Sequence, residues 1–258
     1  MEGDVVDLKR FYETRLGLIV ARTLRRHLRV FWPDMSGQRM LGLGYAVPFL
    51  RPFRDEAERV VALMPARQGV HHWPAGDANA VALADDTELP LPDAMFDRVL
   101  LVHALETSEE MRPMLREIWR VLAPEGRLLI VAPNRRGVWS RLERTPFGAG
   151  QPFSPGQLER LLREAMFSPT QSSAALYFPP TRWNFALRFA GPLENFGARI
   201  QATALAGAVL VEASKQVYAV GVRAQGRRRR PVAVPAIRLV QRGAARVPGH
   251  AVPVVPRS

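Results

Sequence analysis

The sequence contains no cysteine. This absence excludes disulfide bonds, thiolate nucleophiles and cysteine-ligated metal sites. It is compatible with a reducing compartment, and we expect a cytoplasmic location. His71 and His72 are adjacent, but no third ligand follows at a metal-binding spacing, so we predict no metal site.

Long apolar runs are also missing. A membrane-spanning helix needs ~20 apolar residues, and the longest candidate here, residues 202–211, is about half that length. Residues 1–7 are acidic and lack the apolar core of a secretory signal. With 258 residues, 47% of them hydrophobic, the chain is predicted to be soluble with a full core.

Acidic residues are missing from the end of the chain. Residues 222–258 contain nine arginines and no Asp or Glu, whereas residues 1–221 contain 27 basic and 24 acidic residues. The Arg- and Pro-rich composition predicts a disordered tail over residues 223–258. The arginine run at 227–230 indicates a weak anionic partner, RNA or a membrane surface. A flexible tail without a partner is the alternative, because no aromatic residues are interleaved for base stacking.

Strand-like and helix-like segments alternate through the rest of the chain. Strand-like runs occur at 39–44, 59–64, 80–84, 96–103, 127–132, 170–178, 207–213 and 216–220. Helical spacing occurs at 5–30, 47–54, 108–122, 154–166 and 183–200. Alternation of this kind predicts a doubly wound, mostly parallel sheet with helices on both faces, over residues 35–222. Residues 1–34 are predicted to form an N-terminal helical extension, interrupted at Gly17.

The first strand leads into a glycine-containing loop in residues 39–48, RMLGLGYAVP. A buried strand, a tight turn at Gly44 and a helix opening at Pro48 follow the order of a nucleotide-type ligand loop. A plain buried strand and turn would give the same pattern. Ligands of doubly wound sheets bind at the carboxyl ends of the strands, where His103 would also lie, either as a hydrogen-bonded rim residue or as a base.

Four stretches resemble the class I S-adenosylmethionine-dependent methyltransferases, in particular the small bacterial methyltransferase-domain proteins. They are 40–48 (MLGLGYAVP), 85–97 (DDTELPLPDAMFD), 99–106 (VLLVHALE) and 117–130 (EIWRVLAPEGRLLI). The resemblance implies a Rossmann-like fold. It also implies transfer of a methyl group from S-adenosyl-L-methionine to an acceptor that the sequence does not identify.

The same resemblance implies a cofactor site of nine residues: Gly42, Leu43, Gly44, Tyr45, Ala46, Met64, Asp85, Asp86 and His103. Asp85 resembles the family residue that accepts a hydrogen bond from the adenine amine, although an Asp that caps its own turn is the alternative. Family members carry acidic residues at the positions of Gly42 and Met64, and glycines at those of Ala46 and Pro48. Loss of these carboxylates predicts weakened cofactor binding.

Methyl transfer depends mainly on alignment and needs a base only when the acceptor loses a proton, so the sequence identifies no catalytic residue. Asn134 and Arg135 are candidates for substrate contact at the rim. Tyr12 is predicted to pack in the core or to cover the site. The missing carboxylates leave open an inactive methyltransferase-fold protein that acts as a partner or scaffold.

Overall fold

The structure is a computed structural model that describes residues 4–181, 183, 187–199 and 203–216. The expectation for the tail at 223–258 lies outside these residues, as does that for the strand-like run at 216–220 except for Gln216, which is not in a strand. Within the described ranges, no helix combines the length and apolar character needed to cross a membrane.

A seven-stranded sheet with the order β3-β2-β1-β4-β5-β7-β6 forms the centre of the fold. The strands are β1 (Arg39–Gly44), β2 (Arg59–Pro65), β3 (Val81–Ala84), β4 (Phe96–Val102), β5 (Leu122–Pro133), β6 (Phe167–Ala175) and β7 (Ala208–Lys215). β7 alone runs antiparallel to its neighbours β5 and β6 among the described strands. The mostly parallel α/β sheet is therefore confirmed.

Helices pack on both faces of the sheet. They are α1 (Val5–Glu13), α2 (Arg15–Phe31), α3 (Val47–Leu50), α4 (Met111–Val121), α5 (Pro155–Glu164) and α6 (Ala190–Arg199). Side chains of β4 alternate between the two cores: Leu100 and Val102 join the cluster that contains α1 to α3, and Val99 and Leu101 join that of α4 and α5. A strand that is covered on both faces reads as a continuous apolar run, which is why β4 was predictable from the sequence.

The N-terminal helical segment divides at Thr14 rather than at Gly17. The Thr14 hydroxyl donates to the Phe11 carbonyl (2.6 Å) and accepts from the Gly17 amide (3.0 Å), so it ends α1 and caps α2. A Cβ on Gly17 would lie 2.0 Å from the Phe11 carbonyl oxygen. Gly17 therefore permits the sharp turn that folds α1 back toward the sheet.

Two arginines of α2 are structural. From the sequence, Arg22, Arg25, Arg26 and Arg29 are expected to form a solvated basic helix face. In the structure, Arg25 Nε donates to the Pro48 carbonyl (2.6 Å), and Arg29 Nη2 donates to the Pro52 carbonyl (2.6 Å). These bonds satisfy carbonyls in the short helical segment that follows β1. They hold α2 against the segment that begins at the glycine loop.

The last strands differ in extent from the sequence expectation. β5 begins at Leu122 because Leu122 pairs with Phe96 of β4, and β6 begins at Phe167 because it pairs with Lys215 of β7. Neither pairing is visible in local apolar periodicity. The observed starts of β5 and β6 therefore lie three to five residues before the predicted ones, because pairing with a distant strand sets them.

Buried Glu212 links β7 to three other elements. Its carboxylate accepts from Trp32 Nε1 (2.9 Å), Arg127 Nη1 (2.9 Å) and the Thr170 hydroxyl (2.7 Å). Only 1% of Glu212 is exposed. Removing this acceptor would leave buried donors without partners.

We expect Glu212→Leu to lower the free energy of unfolding by about 2–4 kcal/mol, because the indole N–H and the hydroxyl lose their acceptor. Urea unfolding followed by circular dichroism measures this loss. Glu164→Leu is the control, since Glu164 forms an exposed pair with Arg112 that is worth at most ~1 kcal/mol. Equal losses in the two variants would contradict the assignment.

Candidate functional site

The sheet order brings the nine predicted site residues to one edge. β3, β2, β1 and β4 are parallel neighbours, and Gly44 aligns with Val102 while Pro65 aligns with Ala84. The turns after these strands therefore lie side by side at their carboxyl ends. This edge, formed by the turns after β1 to β4, is called the rim below.

The two glycines of the loop allow close packing of the backbone. Gly44 has φ = 79°, and a Cβ there would lie 2.2 Å from the Val102 carbonyl oxygen. That oxygen accepts from the Tyr45 amide (2.8 Å). A Cβ on Gly42 would lie 2.7 Å from Leu50 Cδ1. Gly42 thus admits α3 onto β1, and Gly44 makes the turn.

Three other predicted residues, Leu43 of β1, Ala46 of the loop and Met64 of β2, are buried in the cores. Leu43 packs into the cluster of α4 and α5, so only its backbone belongs to the rim. Ala46 and Met64 are fully buried in the cluster of α1 to α3. Met64 offers a ligand no charged group, and the carboxylate that the resemblance leads one to expect there is absent.

Asp85 and Asp86 differ in their surroundings. Asp85 is exposed, and its Oδ1 accepts from the Thr87 amide (2.8 Å) and hydroxyl (2.7 Å). These hydrogen bonds lower the pKa of Asp85, so the carboxylate is charged at neutral pH. Buried Asp86 forms an ion pair with Arg67 Nη2 (2.7 Å). The sequence had not indicated this cation beside the rim.

His103 is the centre of a buried network. Its Nε2 lies 2.7 Å from the Tyr12 hydroxyl, and its Nδ1 lies 3.1 Å from Glu106 Oε1. Its carbonyl accepts from Gln68 Nε2, and its backbone has φ = 53°, an uncommon conformation for a residue other than glycine. Tyr12, His103 and Glu106 are each at least 94% buried.

The Tyr12 phenol is neutral in this network. Burial, with the neighbouring Tyr45 and Glu106, raises the pKa of Tyr12 well above its usual value. The phenol shares a hydrogen bond with His103 Nε2, and His103 Nδ1 shares one with the Glu106 carboxyl group.

Three buried oxygens at the rim have no hydrogen-bond partner in the described part of the chain, and one of them, Asp86 Oδ2, forms the ion pair with Arg67. The other two are Glu106 Oε2 and Gln68 Oε1. Buried polar atoms are nearly always paired, so these oxygens fit a ligand that supplies hydrogen-bond donors. The i, i+3 spacing of His103 and Glu106 was visible in the sequence, whereas nothing local marked Gln68.

Helix α1 lies across the rim. The Val5 amide donates to the Gln68 carbonyl (2.7 Å) at one end. At the other end, Tyr12 stacks on Tyr45 (5.7 Å between ring centroids, 18° between planes) and packs edge-on against Phe49 (5.5 Å). Four cavities in the described ranges are lined by residues other than the nine. In this structure α1 covers the glycine loop at the rim.

The remaining candidates have other positions. Asn134 is 1% exposed, and its Nδ2 donates to the Thr203 and Ala206 carbonyls (2.6 and 2.8 Å), so its side chain is committed to structure. Arg135 is exposed. The His71 ring packs near Tyr45, 5.7 Å between centroids. Among the described residues, no three His, Asp or Glu side chains come together as a metal site.

Comparison with known proteins matches residues 41–130 to the family described as a methyltransferase domain. A demethylmenaquinone methyltransferase from Thermus thermophilus is 35% identical over 75 residues, 28% of this chain and 34% of that protein. A 27-O-demethylrifamycin SV methyltransferase from Amycolatopsis mediterranei is 32% identical over 127 residues, 46% of this chain and 47% of that protein. The aligned segments thus span less than half of the curated relatives' length.

Solved structures share the fold. An S-adenosylmethionine-dependent methyltransferase from Thermotoga maritima, a possible histamine N-methyltransferase, aligns with a TM-score of 0.60 and 17% identity, over 83% of this chain and 97% of that one. The domain match runs from β1 to β5, the five strands that include the four preceding the rim turns. Residues 41–130 are therefore similar to the methyltransferase-domain family, and the described chain shares its fold with S-adenosylmethionine-dependent methyltransferases of known structure.

We expect Tyr12→Phe to loosen α1, because the variant removes the hydrogen bond to buried His103 Nε2 and costs about 1–2 kcal/mol. Hydrogen exchange of the α1 amides should become faster. Tyr177→Phe, which removes a phenolic hydroxyl outside this network, should leave the exchange of α1 unchanged. Unaltered exchange in Tyr12→Phe would show that the hydrogen bond does not hold the helix.

Proposed function

We propose that this protein transfers a methyl group from S-adenosyl-L-methionine to an acceptor that is not yet identified. One observation carries the proposal: the match to the methyltransferase domain, residues 41–130, contains all nine rim residues. The rim also has the position at which ligands bind in doubly wound sheets.

The rim fits the cofactor once α1 is displaced. The turn at 44–46 would approach the cofactor with its backbone, and the Asp85 carboxylate would accept from the adenine amine. The buried oxygens of Gln68 and Glu106 suit the remaining donors, the ribose hydroxyls and the ammonium group, and so replace part of what the missing carboxylates supply. Met64 would contribute only an apolar contact.

When bound, S-adenosyl-L-methionine supplies a methyl group on a positively charged sulfur. Movement of Tyr12 away from the rim frees His103 Nε2, which can then accept a proton. Glu106 keeps the proton on Nδ1 and stabilises the imidazolium that forms. This arrangement suits an acceptor that loses a proton, such as a hydroxyl group, and it makes His103 the proposed base.

The second candidate function is an inactive member of the fold that acts as a partner or scaffold. The observation that favours it is the covered rim, in which Tyr12 stacks on the glycine loop and Arg67 neutralises Asp86. Cofactor binding separates the two candidates. An anionic partner for residues 223–258 and a cytoplasmic location stay predictions.

Calorimetric titration with S-adenosyl-L-homocysteine tests the proposal. We expect binding, and we expect Asp85→Asn to weaken it by about tenfold, because the amide keeps the turn to Thr87 but loses the charged acceptor. Asp55→Asn, which changes an exposed carboxylate away from the rim, is the control. No heat at hundreds of micromolar ligand, in wild type and in Tyr12→Phe, would support the inactive scaffold instead.

A further inference from the structure

A cavity of about 330 Å³ lies on the other side of Phe11 from the rim network. Phe11 lines the cavity and packs edge-on against Tyr12, 5.1 Å between ring centroids. The cavity joins residues of α1 and α2 to Thr145 and Leu187. Its volume is at the lower end of the range for small-molecule sites, ~300–1,000 Å³.

The cavity has an apolar floor. Phe11, Leu16 and Leu187 line it, and each is at most 9% exposed. Buried apolar side chains of this kind favour an occupant with an apolar body, because the occupant removes its own apolar surface from water. None of the nine rim residues contributes to the lining.

The mouth of the cavity is cationic. Arg10, Arg15 and Arg144 line it, all three exposed. None of them forms an ion pair or a side-chain hydrogen bond with the rest of the described chain. Asp7 is the one acidic residue in the lining. Three guanidinium groups without partners around an apolar floor complement an anionic group, which they can bind bidentately.

We propose that this cavity binds a small apolar molecule that carries one anionic group, a carboxylate or a phosphate. The apolar body lies on Phe11, Leu16 and Leu187, and the anion lies among the three arginines. The site goes beyond the methyl-transfer function, because its occupant needs neither the cofactor nor the rim.

Fluorescence titration with 2-naphthoate, 2-naphthyl phosphate and neutral 2-naphthamide tests this site. We expect at least one of the two anions to bind, about tenfold or more tighter than the amide of the same shape. The triple variant Arg10→Gln, Arg15→Gln, Arg144→Gln should lose this preference for the anion. Arg116→Gln, which removes an exposed arginine of α4, should retain it.

Hydrogen exchange locates the binding. An anion in the cavity should slow exchange in α1, since that helix contributes part of the lining. Equal affinity for naphthoate, naphthyl phosphate and naphthamide, or anion binding unchanged in the triple variant, would overturn the proposal. So would arginine-dependent binding to phosphatidylglycerol vesicles without binding of either soluble anion, which would assign the arginines to a lipid surface.

The outcome is independent of the titration with S-adenosyl-L-homocysteine. Anion binding without cofactor binding would retain this site and reject the methyltransferase. Cofactor binding without anion binding would support the methyltransferase and reject this site.

Discussion

The hydrogen bond between Tyr12 and His103 ties α1 to the rim. It joins the first helix of the chain to the end of the fourth strand, across 91 positions of sequence. Through it, α1 covers the glycine loop and His103 Nε2 is occupied. The same contact therefore links the position of α1 to the environment of the His103 imidazole.

Local sequence predicted the parts of the fold that depend on local patterns. β4 was recognisable because both faces of the strand are buried, and α5 because its apolar residues follow helical spacing after Ser154-Pro155. In the structure Ser154 caps α5 through reciprocal bonds with Gln157. The starts of β5 and β6 could not be predicted, because each is set by pairing with a distant strand. The break at Thr14 was missed because Gly17 is the more conspicuous helix breaker, although it only makes room for the turn.

The candidate site was predictable by position more than by contact. The resemblance identified the turn at Gly44, Asp85 and His103, which the sheet places at one edge. It gave no sign that Arg67 would neutralise Asp86 or that Gln68 would reach the His103 carbonyl. Such contacts join separate turns and leave no periodic trace in the sequence. The resemblance marked Gly42 and Met64 as positions without the usual carboxylates, but it gave no sign of the unpaired buried oxygens of Gln68 and Glu106.

Helix α1 contributes both to the cavity and to the cover over the rim. If the proposed occupant binds with α1 in this position and the cofactor needs α1 displaced, binding of either weakens the affinity for the other. An occupant at one hundred times its dissociation constant adds about 2.7 kcal/mol to the covered state. That is larger than the ~1 kcal/mol typical of one neutral hydrogen bond such as Tyr12 to His103. Occupancy of the cavity would therefore influence the rim more than the phenolic hydrogen bond does.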